Sequence, residues 1–116
     1  MFRCPCCGFP TLSERSSWDI CPICWWEDDG QDDPRANEIW GGPNQHYSLS
    51  AARANFLSHD HMYDLGAGIE VVESPSPERR LLLAYVRGVR GGQAQLDERE
   101  LQRLIDADRK ARNVEP

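Results

Sequence analysis

Apolar residues are distributed in two different ways along this chain. Near the start they come in short pieces, where Phe9-Pro10-Thr11-Leu12 and Ser17-Trp18-Asp19-Ile20 read as extended segments on either side of a polar turn at Ser13 to Ser16. Further on the spacing becomes helical. Leu49, Ala52 and Phe56 fall on one stripe, which predicts a helix over about residues 49–58, capped by Ser48 or Ser50 and packed on the extended segments. The cluster Gly41-Gly42-Pro43-Asn44 ahead of it is a turn. From His59 to Ser76 the pattern weakens: Gly66-Ala67-Gly68 is permissive, Ile69 to Val72 suits a short strand, and Pro75 with Pro77 ends it.

Two better specified helices follow. Ser76 caps the first with Pro77 at its opening position; it runs to about Arg90 on Leu81, Leu82, Leu83, Tyr85 and Val86, and Gly91-Gly92 stops it. Asp97 and Glu100 form an acidic variant of the capping box for the second, Leu96 and Leu101 staple its start, and Leu101, Leu104 and Ile105 give an apolar stripe over residues 98–112. The two apolar faces predict a helical hairpin, or else docking on a second copy to make a homodimer. Arg79, Arg80, Arg87 and Arg90 give the first of these helices a basic, solvated rim. The expected organisation is a cysteine-rich domain over residues 1–60, a linker or short strand over 61–76, and a helical extension over 77–116.

Composition argues against a purely apolar core. With 116 residues, 40% of them apolar, eight prolines and nine glycines, and a mean hydropathy of -0.64, a fold of this size calls for a metal or disulfide staple. No window approaches the roughly 18 apolar residues of a membrane helix, and the first residues lack the pattern of a signal peptide, so a cytoplasmic location is expected. Thiols are kept reduced there, and the odd count of five cysteines favours metal ligands over a disulfide frame. A formal charge of -6 opposes a grip on nucleic-acid phosphates and suits a basic protein partner.

Cys4-Pro5-Cys6-Cys7 and Cys21-Pro22-Ile23-Cys24 are two copies of one C-P-x-C device, thirteen residues apart. Each such turn places two sulfurs on one side of a loop at a span suited to Zn–S bonds of about 2.3 Å, and two turns complete a tetrahedron. Cys4, Cys7, Cys21 and Cys24 are therefore the expected ligands of one structural Zn²⁺. Cys6 stands where the second copy has Ile23, outside the ligand set. Gly8 follows the first turn and Trp25 the second, so the second turn is expected to leave in a conformation open to ordinary residues. Iron in a rubredoxin-like site uses the same turns, and thiol redox chemistry of the C-x-x-C type is a further alternative. Four protein ligands leave no open position, so no catalytic residue and no enzymatic activity are expected. His46, His59 and His61 read as solvated. The fold class is small α+β: a zinc-ribbon β-hairpin with two C-P-x-C knuckles, followed by helices.

The run Cys4-Pro5-Cys6-Cys7-Gly8-Phe9, then Thr11-Leu12 and Cys21-Pro22-Ile23-Cys24-Trp25-Trp26-Glu27-Asp28-Asp29, resembles the bacterial cysteine-rich CPCC family. So do Gly42-Pro43-Asn44, Ser48-Leu49 and Ala52-Arg53-Ala54-Asn55-Phe56. The resemblance spans roughly residues 1–60. It implies a small metal-binding domain and no particular reaction.

Glu27, Asp28, Asp29, Asp32 and Asp33 put five carboxylates in seven residues without the alternation of a calcium loop. They read as a solvated acidic loop able to meet a basic partner. Successive residues of an extended chain face opposite ways, so one of Trp25 and Trp26 is expected at the surface as an anchor for that partner. The functional expectation is a structural-zinc protein acting as a protein-interaction module; the alternatives are an iron or thiol redox protein and a nucleic-acid-binding zinc ribbon.

Overall fold

A C-x2-C turn reverses the chain within four residues, and that decides which segments pair. In the computed structural model, which describes residues 1–113, strand β1 (Phe2–Arg3) leads into the first turn and β2 (Pro10–Leu12) leaves it. The two pair antiparallel, Phe2 opposite Leu12 and Arg3 opposite Pro10. The second turn repeats the device on a smaller scale. Ile20 bridges Glu27, the Trp18 N–H donates to the Asp28 carbonyl at 3.1 Å, and the Asp28 N–H donates to the Asp19 carbonyl at 2.9 Å. The two extended segments expected to form one hairpin across residues 13–16 thus each pair around their own cysteine turn. The intervening turn is closed by a side chain instead: one Asp19 carboxylate oxygen accepts both the Ser13 N–H, at 3.0 Å, and the Ser13 hydroxyl.

The chain forms two compact units, Met1–Ala67 and a second from Gly68 onward. In the first, helix α1 (Leu49–His59) starts at Ser48, whose hydroxyl accepts the Ala51 N–H at 3.0 Å, and ends at Asp60 in the left-handed conformation. Its buried stripe is Leu49, Ala52 and Phe56, joined in the core by Leu12, Ile23, Trp26 and Met62. Before α1 the chain makes two single 3₁₀ turns, Asp33–Arg35 and Gly42–Asn44, each with a proline at its second position.

The second unit opens on a single helical turn, α2 (Glu70–Glu73), where a short strand was expected. A strand there would leave its backbone groups without partners, whereas the helical turn satisfies them locally: the Glu73 N–H donates to Ile69 O at 3.1 Å and the Ser74 N–H to Glu70 O at 3.0 Å. Helices α3 (Pro77–Arg90) and α4 (Glu98–Arg112) then form an antiparallel hairpin that buries Leu82 and Val86 with Leu101, Leu104 and Ile105. Ser76 caps α3 through the Arg79 N–H at 3.0 Å, and Asp97 caps α4 through the N–H groups of Arg99 and Glu100. The capping box is not reciprocal. Glu100 turns away to grip Arg103 at 2.6 and 2.9 Å, while the Asp97 N–H donates to the Tyr85 hydroxyl at 2.8 Å and so ties the two helices together.

At the other end of the hairpin, Arg79 and Asp108 are buried as an ion pair at 3.3 Å, and Arg112 reaches the same carboxylate oxygen at 3.4 Å. Removing the carboxylate of a buried pair strands charge in a desolvated place. Asp108→Ala is therefore expected to destabilise the second unit by about 3–5 kcal/mol, read as a shift in the urea midpoint followed at helical circular-dichroism wavelengths. A loss below about 1 kcal/mol, the level of an exposed pair, would show that this ion pair does not hold the hairpin.

Candidate metal centre

Both cysteine turns are built by the same two backbone bonds. In the first, the Gly8 N–H donates to Cys4 O at 2.8 Å and the Cys4 N–H to Phe9 O at 2.9 Å; in the second, the Trp25 N–H donates to Cys21 O and the Cys21 N–H to Trp26 O, both at 2.9 Å. This geometry places a left-handed residue directly after Cys7 and directly after Cys24. Gly8 supplies it at φ +79°, and Trp25 adopts the same conformation at φ +74°. The expectation that Trp25 marks a different exit is thereby corrected: the turn dictates the backbone, and the tryptophan accepts a left-handed strain that glycine avoids.

The two turns face each other, bringing the sulfurs of Cys4, Cys7, Cys21 and Cys24 within 4.8 Å of one another. The Cys4–Cys24 and Cys7–Cys21 sulfurs are each 3.6 Å apart, near the roughly 3.8 Å edge of a tetrahedron with bonds of about 2.3 Å to a central zinc. Cys4, Cys21 and Cys24 are buried and Cys7 is partly so. The Thr11 hydroxyl donates to the Cys21 sulfur at 3.0 Å and the Ile23 N–H approaches it at 3.4 Å. Burial opposes a charged Cys21 sulfur, but hydrogen bonds from Cys24, Cys4, Cys7 and Thr11 outweigh it and hold its pKa well below the ordinary thiol value. The other three are raised: Cys4 chiefly through its bonds with Cys21 and Cys24, Cys7 and Cys24 chiefly by burial. Four soft donors at this spacing could hold one metal ion.

Cys6 lies outside the four-sulfur group and is 7% exposed. It is not remote, because its thiol is one of the neighbours that raise Cys24. None of the five cysteines is in a disulfide.

Helix α1 grips both turns. The Arg53 Nε–H donates to Pro5 O within the first at 2.8 Å, and the Met62 N–H, just past the helix, donates to Cys24 O in the second at 2.9 Å. Neither contact was evident from sequence, since the value of Arg53 lies in a fold-dependent contact across 48 positions. The histidines sit differently from the solvated trio expected. His61 is buried, its Nδ1 accepting the Tyr63 N–H at 3.1 Å, and the His59 ring lies 4.5 Å from it; His46 alone is well exposed.

The acidic loop is the largest revision. Asp28 is 0% exposed and accepts Arg15 Nε at 2.9 Å, the Ser16 N–H at 2.7 Å and the Gly30 N–H at 3.2 Å. Asp32 pairs with Arg15 at 3.0 Å and Asp33 with Arg53 at 2.7 Å. Asp29 accepts the Gln31 N–H at 3.0 Å, and Glu27 is held by its backbone, whose N–H and carbonyl both bond the Asn44 side chain at 3.1 and 2.7 Å. These carboxylates and their backbone organise the loop internally. Trp26 is 0% exposed and Trp25 half-buried, so the pair is divided as expected, with Trp25 only partly at the surface. The well-exposed tryptophans are Trp18 and Trp40.

The fold and the sulfur cluster define a small cysteine-rich α+β protein with a four-cysteine site able to take a metal ion. The profile of the cysteine-rich CPCC family matches residues 2–77, and the chain belongs to that family. No curated protein and no solved structure matches it. The match runs past the residues carrying the resemblance and reaches the first residue of α3.

Two outcomes follow from the turn and loop chemistry. Asp28→Asn is expected to destabilise the first unit by roughly 1.5–3 kcal/mol, the usual range for losing hydrogen bonds to a buried charge, whereas Asp33→Asn at the exposed rim changes stability by less than about 1 kcal/mol; thermal melts followed by tryptophan fluorescence compare them, and equal effects would contradict the placement of Asp28. Hydrogen bonds from Ser13 hold Asp19 below the ordinary carboxylate range. A folded-state pKa depressed in this way adds stability above the unfolded value of about 3.9, and that stability is lost as pH falls through the lower folded value. Carboxyl ¹³C titration is expected to place Asp19 below its ordinary value in the wild type and to move it back up in Ser13→Ala; an unchanged titration would remove the Ser13 bond as the cause.

Proposed function

We propose that Cys4, Cys7, Cys21 and Cys24 hold one structural Zn²⁺ in a zinc-ribbon-like pair of knuckles, and that the first unit is an interaction module for a basic protein partner. The observation that carries the metal reading is the gathering of four protein sulfurs within 4.8 Å of one another, with 3.6 Å across the Cys4–Cys24 and Cys7–Cys21 pairs. Four protein ligands complete the shell and leave no position for substrate, so the role is to hold the fold rather than to catalyse. Zinc would draw all four sulfurs into the thiolate form and release protons on binding. The partner reading is supported by charge. Residues 1–67 carry ten carboxylates against four arginines, a net -6, while the remaining residues balance nine against nine. The acidity of the whole chain thus resides in the cysteine-rich unit, which also disfavours nucleic acid.

The test is metal analysis of protein purified without added metal, with serine at each cysteine in turn. One zinc per chain is expected, retained by Cys6→Ser and weakened or lost by Cys4→Ser, Cys7→Ser, Cys21→Ser and Cys24→Ser. All four tryptophans lie in residues 1–67, so chelation is expected to shift tryptophan emission as this unit unfolds. A coloured, iron-loaded sample that reduces reversibly would replace zinc with the rubredoxin-like alternative, and metal loss in Cys6→Ser would overturn the ligand assignment.

A further inference from the structure

We infer that Trp18 and Trp40, flanked by Ile20 and Ile39, form a preorganised docking surface for a protein segment that presents arginine or lysine side chains. The inference rests on the interaction-module reading above and moves its surface away from Trp25 and Trp26. Trp18 is 57% exposed and Trp40 42%, with Ile20 at 52% and Ile39 at 63%, in a unit that buries Trp26 completely. Exposed apolar side chains gathered in one patch mark contact surfaces, and these four are assigned to one patch because the segments carrying them meet at Gly30.

Their support is rigid. Trp18 belongs to the turn closed by the Asp19–Ser13 bonds and pinned from inside by the Asp28 carboxylate on Arg15 and the Ser16 N–H. Its backbone is held at φ +67°, a conformation a bulky residue keeps only where its surroundings impose it. Trp40 follows a loop held by buried Gln31, whose Nε2 donates to Arg35 O at 2.9 Å and to Glu38 O at 2.7 Å. The two segments meet at Gly30. The Trp18 N–H bonds Asp28 O two residues before it, and the Trp40 ring comes within 3.9 Å of where a Gly30 side chain would begin. Anchors fixed in this way lose little conformational freedom on binding.

Charge selects the occupant. The indole N–H of Trp40 donates to Glu38 at 2.9 Å, which keeps a carboxylate at the edge of the ring where the exposed Arg35 reaches the same oxygen only at 3.8 Å, and Asp19 adjoins Trp18 within a unit of net charge -6. An aromatic face beside carboxylates favours guanidinium or ammonium groups, which stack on the ring while meeting the acid.

The probe is a synthetic peptide of alternating arginine and leucine, with a glutamate–leucine peptide and a DNA duplex as comparisons, titrated against the metal-loaded full chain by anisotropy. The arginine peptide is expected to bind saturably, and Trp18→Ala/Trp40→Ala to weaken it at least tenfold while keeping one metal per chain and the emission of buried Trp26. Glu38→Lys, an exposed change, is expected to weaken it severalfold and serves if the double variant misfolds. Undiminished binding by these variants overturns this surface while leaving an acidic interaction module standing elsewhere on the unit. Preference for the duplex, or no binding of the arginine peptide even at low salt, overturns both readings.

Discussion

Four sulfurs within 4.8 Å of one another are the constraint on which the first unit depends. Four thiolates this close repel one another unless a cation joins them. The two cysteine turns supply the geometry from backbone bonds alone, and Arg53 of α1 and Met62 just past it hold them at Pro5 and Cys24. With the strands reduced to two and three residues, the sheet contributes little by itself. The apolar core of Leu12, Ile23, Trp26 and Phe56 then has a frame to fill.

Around that frame, polar side chains take over work that longer strands would do elsewhere. Asn44 pairs with both backbone groups of Glu27 as a neighbouring strand would. Asp28 gathers two backbone N–H groups and Arg15, and Gln31 binds two carbonyls. Buried groups bonded to several partners at once, as Asp28 and the Gln31 Nε2 are, rigidify loops that have almost no regular structure, although the buried Gln31 Oε1 has no partner among the described residues. Asp28 and Gln31 also hold the segments that carry Trp18 and Trp40.

The legible part of the chain was the part whose chemistry is local. Which sulfurs meet follows from two C-P-x-C spacings, and the starts of α1, α3 and α4 follow from Ser48, Ser76 and Asp97, because a cap acts on residues two or three positions away. The strand partner of β2 was misread because each cysteine turn is itself a reversal, and Asp19 closes the loop between them. Trp25 in a left-handed conformation has no signature other than its alignment with Gly8. Asp28 looks like its neighbours in sequence and differs only by burial, which depends on Arg15 thirteen positions away. Exposure of Trp18 rather than Trp26 is likewise a tertiary outcome.

The duplicated turn has a consequence for how the unit assembles. Each half-site is closed by a bond between residues four apart, so both can form early, independently, and from the nearest possible contacts. Joining them requires closure of one thirteen-residue connection, an entropic cost that grows only with the logarithm of loop length. A metal ion caught by either pair would turn the second capture into an intramolecular search over a short tether. The repeat therefore keeps the contacts of each half-site local and leaves a single short loop to close before the four sulfurs meet.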